Sequence, residues 1–244
     1  MRQAWRASSG SAVAFCSLAA AQVCCFQGLA TSNAPVRIRT PALRDCALLL
    51  RLAPFRRALY VASLVEGSHA LNDSFSVIYW RSTGISLSTI SFLWSESVAA
   101  EVLVFLLIGP GLIRRIGPGN GCALTAAAGA VRWLILSSTT SPVLLAAAQP
   151  LHGLTFALLH LACMRVIVLV VPIRLAATAQ SVYGTLCVGL ATALLTLISG
   201  PLYQQMGGRA FLVMAALCLA ALPMCAALRT SLMRMQPSSG GYDV

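Results

Sequence analysis

The segment that decides the fold is YVASLVEGSHALNDSFSVIYW, residues 60–80. It is long and apolar enough to cross a membrane as a helix, yet it contains three ionisable side chains, Glu66, His69 and Asp73. Their i, i+3, i+7 spacing places them along one face of an α-helix. Because an ionisable group at the bilayer centre costs about 2.5–3.5 kcal/mol, we predict that this face lies against a polar interior and away from lipid.

Composition extends this prediction to the whole chain. Of its 244 residues, 58% are hydrophobic and 9% are charged. Soluble domains contain about 25% charged residues, so the composition predicts a polytopic membrane protein. The apolar runs described below make the predicted fold all-α, organised as a six-helix bundle. The net charge of +11 comes from 17 arginines that are scattered through loops between apolar runs. This scatter indicates membrane topology rather than nucleic-acid binding.

The cysteines and histidines do not form a metal-binding pattern. The chain has nine cysteines, most of them inside apolar runs, and no CxxC pair, so we interpret them as small hydrophobic residues. His152 and His160 lie about 12 Å apart along a helix axis, too far to share one zinc ion. We therefore predict neither a metal site nor a cofactor. The chain contains no HExxH or serine–histidine constellation, and we do not expect an enzyme.

Six apolar runs approach the length of about 20 residues that a membrane span needs. They cover residues 57–80, 90–112, 121–138, 143–171, 179–200 and 210–228, with Gly, Pro and Ser clusters between them. These runs predict a six-span domain over residues 57–230, followed by a short cytoplasmic tail at 231–244. The preceding segment, 1–56, has a weakly apolar run at 11–30 that looks like a secretory signal. Six arginines follow it within 32–57, which favours a retained run, spanning or interfacial, and a basic cytoplasmic linker.

The arginines also orient the spans. With the linker inside, the three outer loops between the spans hold only Arg81 and Arg209. The remaining arginines beyond the linker lie on the cytoplasmic side, apart from Arg132 and Arg165 within the runs. This bias predicts a protein of the cell (inner) membrane with both ends of the bundle in the cytoplasm. Small residues in 179–200 permit close helix packing there, whereas 210–228, which lacks charge, is predicted to be peripheral and to face lipid.

Further polar side chains lie inside the later runs. Glu96 and Glu101 are five residues apart on the second run, and we predict that Glu96 is interfacial while the deeper Glu101 is functional. Arg132, followed by Trp133, lies too far from either end of its run to reach water. It therefore requires an anionic ligand or a carboxylate partner, for which Glu66, Asp73 and Glu101 are the alternatives. His152 and His160 are either satisfied polar contacts or proton relays, because histidine titrates near neutral pH.

Several of these residues lie in motifs that resemble the phenylpropionic acid permease branch of the major facilitator superfamily. The similarity covers roughly residue 59 to the end of the last run and follows the order of the C-terminal six-helix half of that family. The motifs are Gly67-Ser68-His69-Ala70, Ile78-Tyr79-Trp80, Leu93-Trp94-Ser95, Ala100-Glu101-Val102, Val131-Arg132-Trp133, His152 with Phe156, and His160-Leu161-Ala162 with Met164-Arg165. The loop at 109–119 departs from the family, because it lacks the aspartate of a Gly-Xaa-Xaa-Xaa-Asp-Arg gating motif.

The resemblance implies a secondary transporter, proton-coupled, for a small organic solute such as an aromatic acid or a nucleoside-like compound. It implies a binding site at the bilayer midplane between two six-helix halves, the second supplied by an N-terminal half or by a second copy. The candidate substrate and proton residues are Glu66, His69, Asp73, Glu101, Arg132, Trp133, His152 and His160. The alternative is a truncated or accessory membrane protein without transport activity.

Overall fold

The computed structural model describes residues 43–235, and all of its secondary structure within that range is helical. The eleven α-helices are α1 (Leu43–Arg51), α2 (Ala53–Gly67), α3 (Ala70–Ser82), α4 (Leu87–Leu103), α5 (Gly109–Ser138), α6 (Pro142–Ala148), α7 (Leu151–Gly153), α8 (Leu159–Val170), α9 (Ala176–Tyr183), α10 (Thr192–Met206) and α11 (Phe211–Met235). The predicted all-α fold is confirmed. The predicted run at 11–30 and most of the predicted tail lie outside the described residues.

Several α-helices continue into one another through wider or tighter turns. Three π-helical segments, at Val104–Ile108, Leu154–Leu158 and Gly184–Ala191, join α4 to α5, α7 to α8 and α9 to α10. Two 3₁₀ turns, Ile173–Leu175 and Gly207–Ala210, precede α9 and α11. Each of the six apolar runs of the sequence therefore lies within consecutive helical segments. The run at 143–171, for example, covers α6, α7, the π segment Leu154–Leu158 and α8.

Glycine and proline reverse the chain between these stretches. Helix α5 contains a sharp turn at Gly117, where φ is 77°, and Gly207 at the end of α10 has φ 56°. Only glycine adopts such values without steric strain, and Pro118 then supplies a fixed φ that begins the next helical segment. Ser86 caps α4 by accepting a hydrogen bond of 3.2 Å from the Thr89 amide. The turns thus lie where the sequence chemistry places them.

The opening segment is two helices rather than one. Helix α2 ends at Gly67, and α3 begins at Ala70. The carbonyl oxygen of Val65 accepts hydrogen bonds from the Ser68 hydroxyl at 2.6 Å and from His69 Nδ1 at 3.0 Å. These side-chain bonds compete with the helical pattern of the backbone and interrupt the helix beside the candidate site.

The helices of the last two apolar runs are packed to different extents. Helix α11, predicted to be peripheral, packs against α5 and α2 along a buried face of Met214, Ala215, Cys218, Ala221, Cys225 and Leu228. Within α9, α10 and the π segment between them, by contrast, most side chains are exposed or half-buried, and a Cβ atom at Gly184 would meet nothing within 4 Å. Small residues, as in α9 and α10, allow close packing in a membrane but do not require it. A run without charged side chains, such as 210–228 in α11, can still pack against other helices along one face.

The surface of the described bundle is rich in exposed apolar side chains, such as Leu106 at 72% and Leu197 at 74% exposure. Three continuous helical stretches, Leu87–Ser138, Pro142–Val170 and Ile173–Met235, are long and apolar enough to cross a membrane. The first and third each contain one of the glycine turns described above. The protein is a multi-pass membrane protein.

A close backbone approach holds α4 and α7 together. A Cβ atom built on Gly153 would lie 2.6 Å from the Ala100 carbonyl oxygen and 2.8 Å from Val104 Cγ2. Only a residue without a side chain fits this contact, since the atoms it would meet include backbone that cannot rotate away. Gly153 and Ala100 adjoin His152 and Glu101, so this contact sets the distance between two candidate site residues.

We predict that Gly153→Ala destabilises the bundle by about 1–3 kcal/mol, because the added methyl group overpacks the contact with Ala100. Thermal unfolding of the purified protein in detergent measures the effect. Gly184→Ala, a helical glycine with open space around it, is the matched control and should leave the unfolding temperature unchanged or slightly raised. Equal losses in both variants would contradict the assigned role of Gly153.

Candidate substrate and proton site

Arg132 lies at the centre of the candidate site and is 1% exposed. Its guanidinium contacts His152 Nδ1 through Nη1 at 3.2 Å and donates from Nη2 to Gln149 Oε1 at 3.2 Å. The guanidinium carbon lies 4.5 Å from the centroid of the Trp133 ring, a cation–π distance. Within residues 44–235, no carboxylate forms an ion pair with Arg132. The pairing with Glu66, Asp73 or Glu101 that the sequence left open is therefore absent from the described part of the chain.

His152 connects Arg132 to Glu101. Because arginine can only donate, His152 Nδ1 must accept its hydrogen bond, and the neutral ring then carries its proton on Nε2. Nε2 lies 3.6 Å from Glu101 Oε2. The side chains of His152 and Glu101 are 16% and 20% exposed, so this pair is less buried than Arg132. The arrangement gives a proton-bearing nitrogen that faces a carboxylate.

His69 packs against the other side of the same group. Its Nδ1 donates to the Val65 carbonyl oxygen, and its Nε2 lies 3.0 Å from the Thr155 hydroxyl. The His69 ring meets the rings of Trp133 and His152 edge to face, with centroid distances of 5.2 and 5.3 Å. The break between α2 and α3 thus brings His69 to the point where α5 and the Leu154–Leu158 segment meet.

Trp133 and Phe156 supply the aromatic surfaces of the site. The Trp133 indole nitrogen donates to Ser68 Oγ at 2.9 Å, which fixes the ring between α2 and α11. Phe156 stacks on His152 with a centroid distance of 5.7 Å and an interplanar angle of 24°. The fixed cation therefore has aromatic side chains beside it.

Three of the sequence candidates lie apart from this group. The Glu66 side chain is buried and forms no hydrogen bond or ion pair within the described residues, whereas Asp73 is exposed and accepts a hydrogen bond from Asn72 at 3.2 Å. His160 is half-buried between Phe105 and Tyr183, with centroid distances of 5.7 and 5.6 Å. The expected stripe of Glu66, His69 and Asp73 does not form one buried face, because the helix is interrupted at His69.

Two neutral residues of the site were not selected from the sequence. Gln149 accepts from Arg132 and also from Ser97 Oγ at 2.9 Å, and both Gln149 and Ser97 are buried. Gln149 lies three residues before His152, so the helical spacing that links side chains on one face could have identified it. Ser97 has no comparable signal, because serine is common on the lipid and packing faces of membrane helices.

We predict that Trp133→Phe lowers stability by about 0.5–1.5 kcal/mol more than Trp80→Phe, because only Trp133 has an acceptor for its indole nitrogen. Trp80 is equally buried, at 1% exposure, and its indole nitrogen has no partner in the described residues, so it controls for the loss of ring volume. Chemical or thermal unfolding in detergent provides the comparison. A larger loss in the Trp80 variant would argue against the Trp133–Ser68 bond.

Comparison with known proteins identifies the family. Residues 16–214 match the MFS_1-like family. The chain is also 39% identical, over 169 residues, to the probable 3-phenylpropionic acid transporter of Escherichia coli (strain K12), an alignment that covers 68% of this chain and 43% of the relative. The chain thus aligns with less than half the length of that relative. Together these matches confirm the resemblance carried by the sequence motifs, and the chain belongs to the MFS_1-like family of the major facilitator superfamily.

Proposed function

We propose that this chain is one six-helix half of a secondary transporter that carries a small aromatic acid together with a proton. The observation that carries the proposal is the buried Arg132, which contacts neutral partners and adjoins the His152–Glu101 pair. The proposed topology places both ends of the bundle on the cytoplasmic side of the cell membrane. A second six-helix unit, either an N-terminal half or another copy, completes the cavity.

The substrate is proposed to be a carboxylate attached to an aromatic group. A buried guanidinium that forms no ion pair with the described carboxylates favours an anionic ligand, and its planar fork matches the two oxygens of a carboxylate. The rings of His69, Trp133 and Phe156 provide edges and faces for an aromatic body. The relative named as a probable 3-phenylpropionic acid transporter agrees with this chemistry. A nucleoside-like solute, which has no carboxylate, makes less use of Arg132.

Proton coupling follows from competition for Arg132. In the substrate-free site, Arg132 donates to His152 Nδ1 and keeps the imidazole neutral. A substrate carboxylate that takes this donor frees Nδ1 to bind a second proton, and the resulting imidazolium is stabilised by Glu101 across the Nε2 contact. Binding of the anion therefore favours binding of a proton, and the pair crosses the membrane with little net charge. Asp73 and His160 have no part in this scheme.

Substitution of Arg132 tests the substrate site. We expect Arg132→Met to reduce uptake of radiolabelled 3-phenylpropionate into proteoliposomes at least about tenfold, because it removes charged hydrogen bonds to the anion. Arg132→Lys keeps the charge without the planar fork and should retain part of the activity. The assay uses the chain alone and with a supplied N-terminal half, under an inward proton gradient.

Folding of the Arg132→Met protein separates transport from structure. Because no internal carboxylate pairs with Arg132 in the described residues, its removal leaves no buried charge uncompensated, and the membrane level of the variant should stay normal. Normal uptake by the variant would refute the assigned role. Uptake by neither the wild-type chain nor its combination with the N-terminal half would favour the alternative, a membrane protein without transport activity.

Substitution of Glu101 tests proton coupling. We expect Glu101→Gln to abolish accumulation driven by a proton gradient while preserving exchange of labelled for unlabelled 3-phenylpropionate, because exchange moves no net proton. Glu96→Gln, the same change on α4 five residues earlier, should preserve both activities. Gradient-driven accumulation by the Glu101→Gln protein would exclude this carboxylate as the group that stabilises the protonated His152.

A further inference from the structure

Gln149, between α6 and α7, has a fixed orientation beside Arg132. The side chain is 2% exposed, and its Oε1 atom accepts from both Ser97 Oγ, at 2.9 Å, and Arg132 Nη2, at 3.2 Å. If the amide were flipped, its NH₂ group would face the Arg132 donor, and two donors would oppose each other. The contact with Arg132 therefore determines which end of the carboxamide carries the hydrogens.

This orientation leaves buried donors without acceptors. Gln149 Nε2 and Arg132 Nε are both buried, and neither has a hydrogen-bond partner in the described residues. Buried polar atoms are nearly always paired. Two unpaired donors on side chains that are hydrogen-bonded to each other are therefore an exception that calls for a cause. Gln149 and Arg132 together have more hydrogen-bond donors than acceptors around them. They therefore complement a ligand group that has only acceptors.

Rigid neighbours maintain this surplus. Ser97 is itself buried at 4% exposure on α4, and its hydroxyl is also within 3.0 Å of the Leu93 carbonyl oxygen. Gln149 follows α6 as its C-terminal cap residue and donates its backbone amide to Leu145 and Ala146. The carboxamide is thus held at both its backbone and its oxygen, and its nitrogen keeps one direction.

We propose that Gln149 is a substrate-binding residue, whose Nε2 donates to the substrate carboxylate beside Arg132 and selects ionised acids over their neutral amides. An ionised carboxylate has acceptors only, whereas a carboxamide brings its own NH₂ group toward the Gln149 donor. The proposal rests on the proposed function and names the residue that discriminates within the same site. Ser97 acts through Gln149 as a positioning residue.

Direct binding tests the proposal. The full chain in lipid nanodiscs, alone and with a supplied N-terminal half, is titrated calorimetrically with 3-phenylpropionate and with 3-phenylpropanamide at neutral pH. We expect Gln149→Leu to weaken binding of the acid about 10- to 100-fold, the value of one hydrogen bond to a charged group, with a smaller change for the amide. Gln180→Leu, an exposed glutamine on α9, is the matched control and should change neither affinity.

A second variant keeps the test decisive if Gln149→Leu does not fold. Gln149→Glu places a carboxylate against Arg132 within the chain, and we expect loss of 3-phenylpropionate binding with an unfolding temperature that is unchanged or raised. If the wild-type protein binds neither probe, the proposed function fails, and this inference fails with it. If the wild-type protein prefers the acid and either folded Gln149 variant keeps that preference at wild-type affinity, the inference about Gln149 alone is overturned.

Discussion

The site depends on the burial of a permanent positive charge that forms no ion pair with a carboxylate in the described part of the chain. Taking a guanidinium out of water costs several kcal/mol, and a carboxylate would normally offset that cost. Here a histidine nitrogen, an amide oxygen and an indole face replace the carboxylate around Arg132. These neutral acceptors can hold the charge only if α5 and the turn between α6 and α7 converge closely. The contact of Gly153 with α4 then brings Glu101 within reach of His152.

Much of the architecture could be predicted because local chemistry determines it. Membrane helices need long apolar runs, and the chain can turn only where glycine or proline permits it, as at Gly117 and Gly207. The main charged residues of the site were equally visible, since Arg132 and Glu101 stand out within apolar runs and His152 is a titratable side chain in another. Rare charges inside a membrane segment are reliable indicators of function.

The remaining features depend on tertiary packing, which one sequence does not specify. In lipid, an apolar face looks the same whether it packs against protein or against acyl chains, so the packing of α11 against α5 and α2 could not be inferred. Helical periodicity placed Asp73 on the same face as Glu66 and His69. That periodicity assumed one continuous helix, whereas the helix is interrupted at Ser68 and His69. Gln149 and Ser97 carry no charge, and only the fold shows that they orient the donors around Arg132.

The π-helical segments set the angle between the side chains that precede them and the side chains that follow them on the same helical stretch. A π turn holds one more residue than an α turn, and returning that residue to α geometry rotates the following side chains by about 100°. The Leu154–Leu158 segment separates His152 from His160 and packs against the π segment at Val104–Ile108. A change of register there would turn His160 relative to His152 without breaking the helix. Such a change would rotate the side chains of α8 about the helix axis while Gly153 keeps its contact with α4.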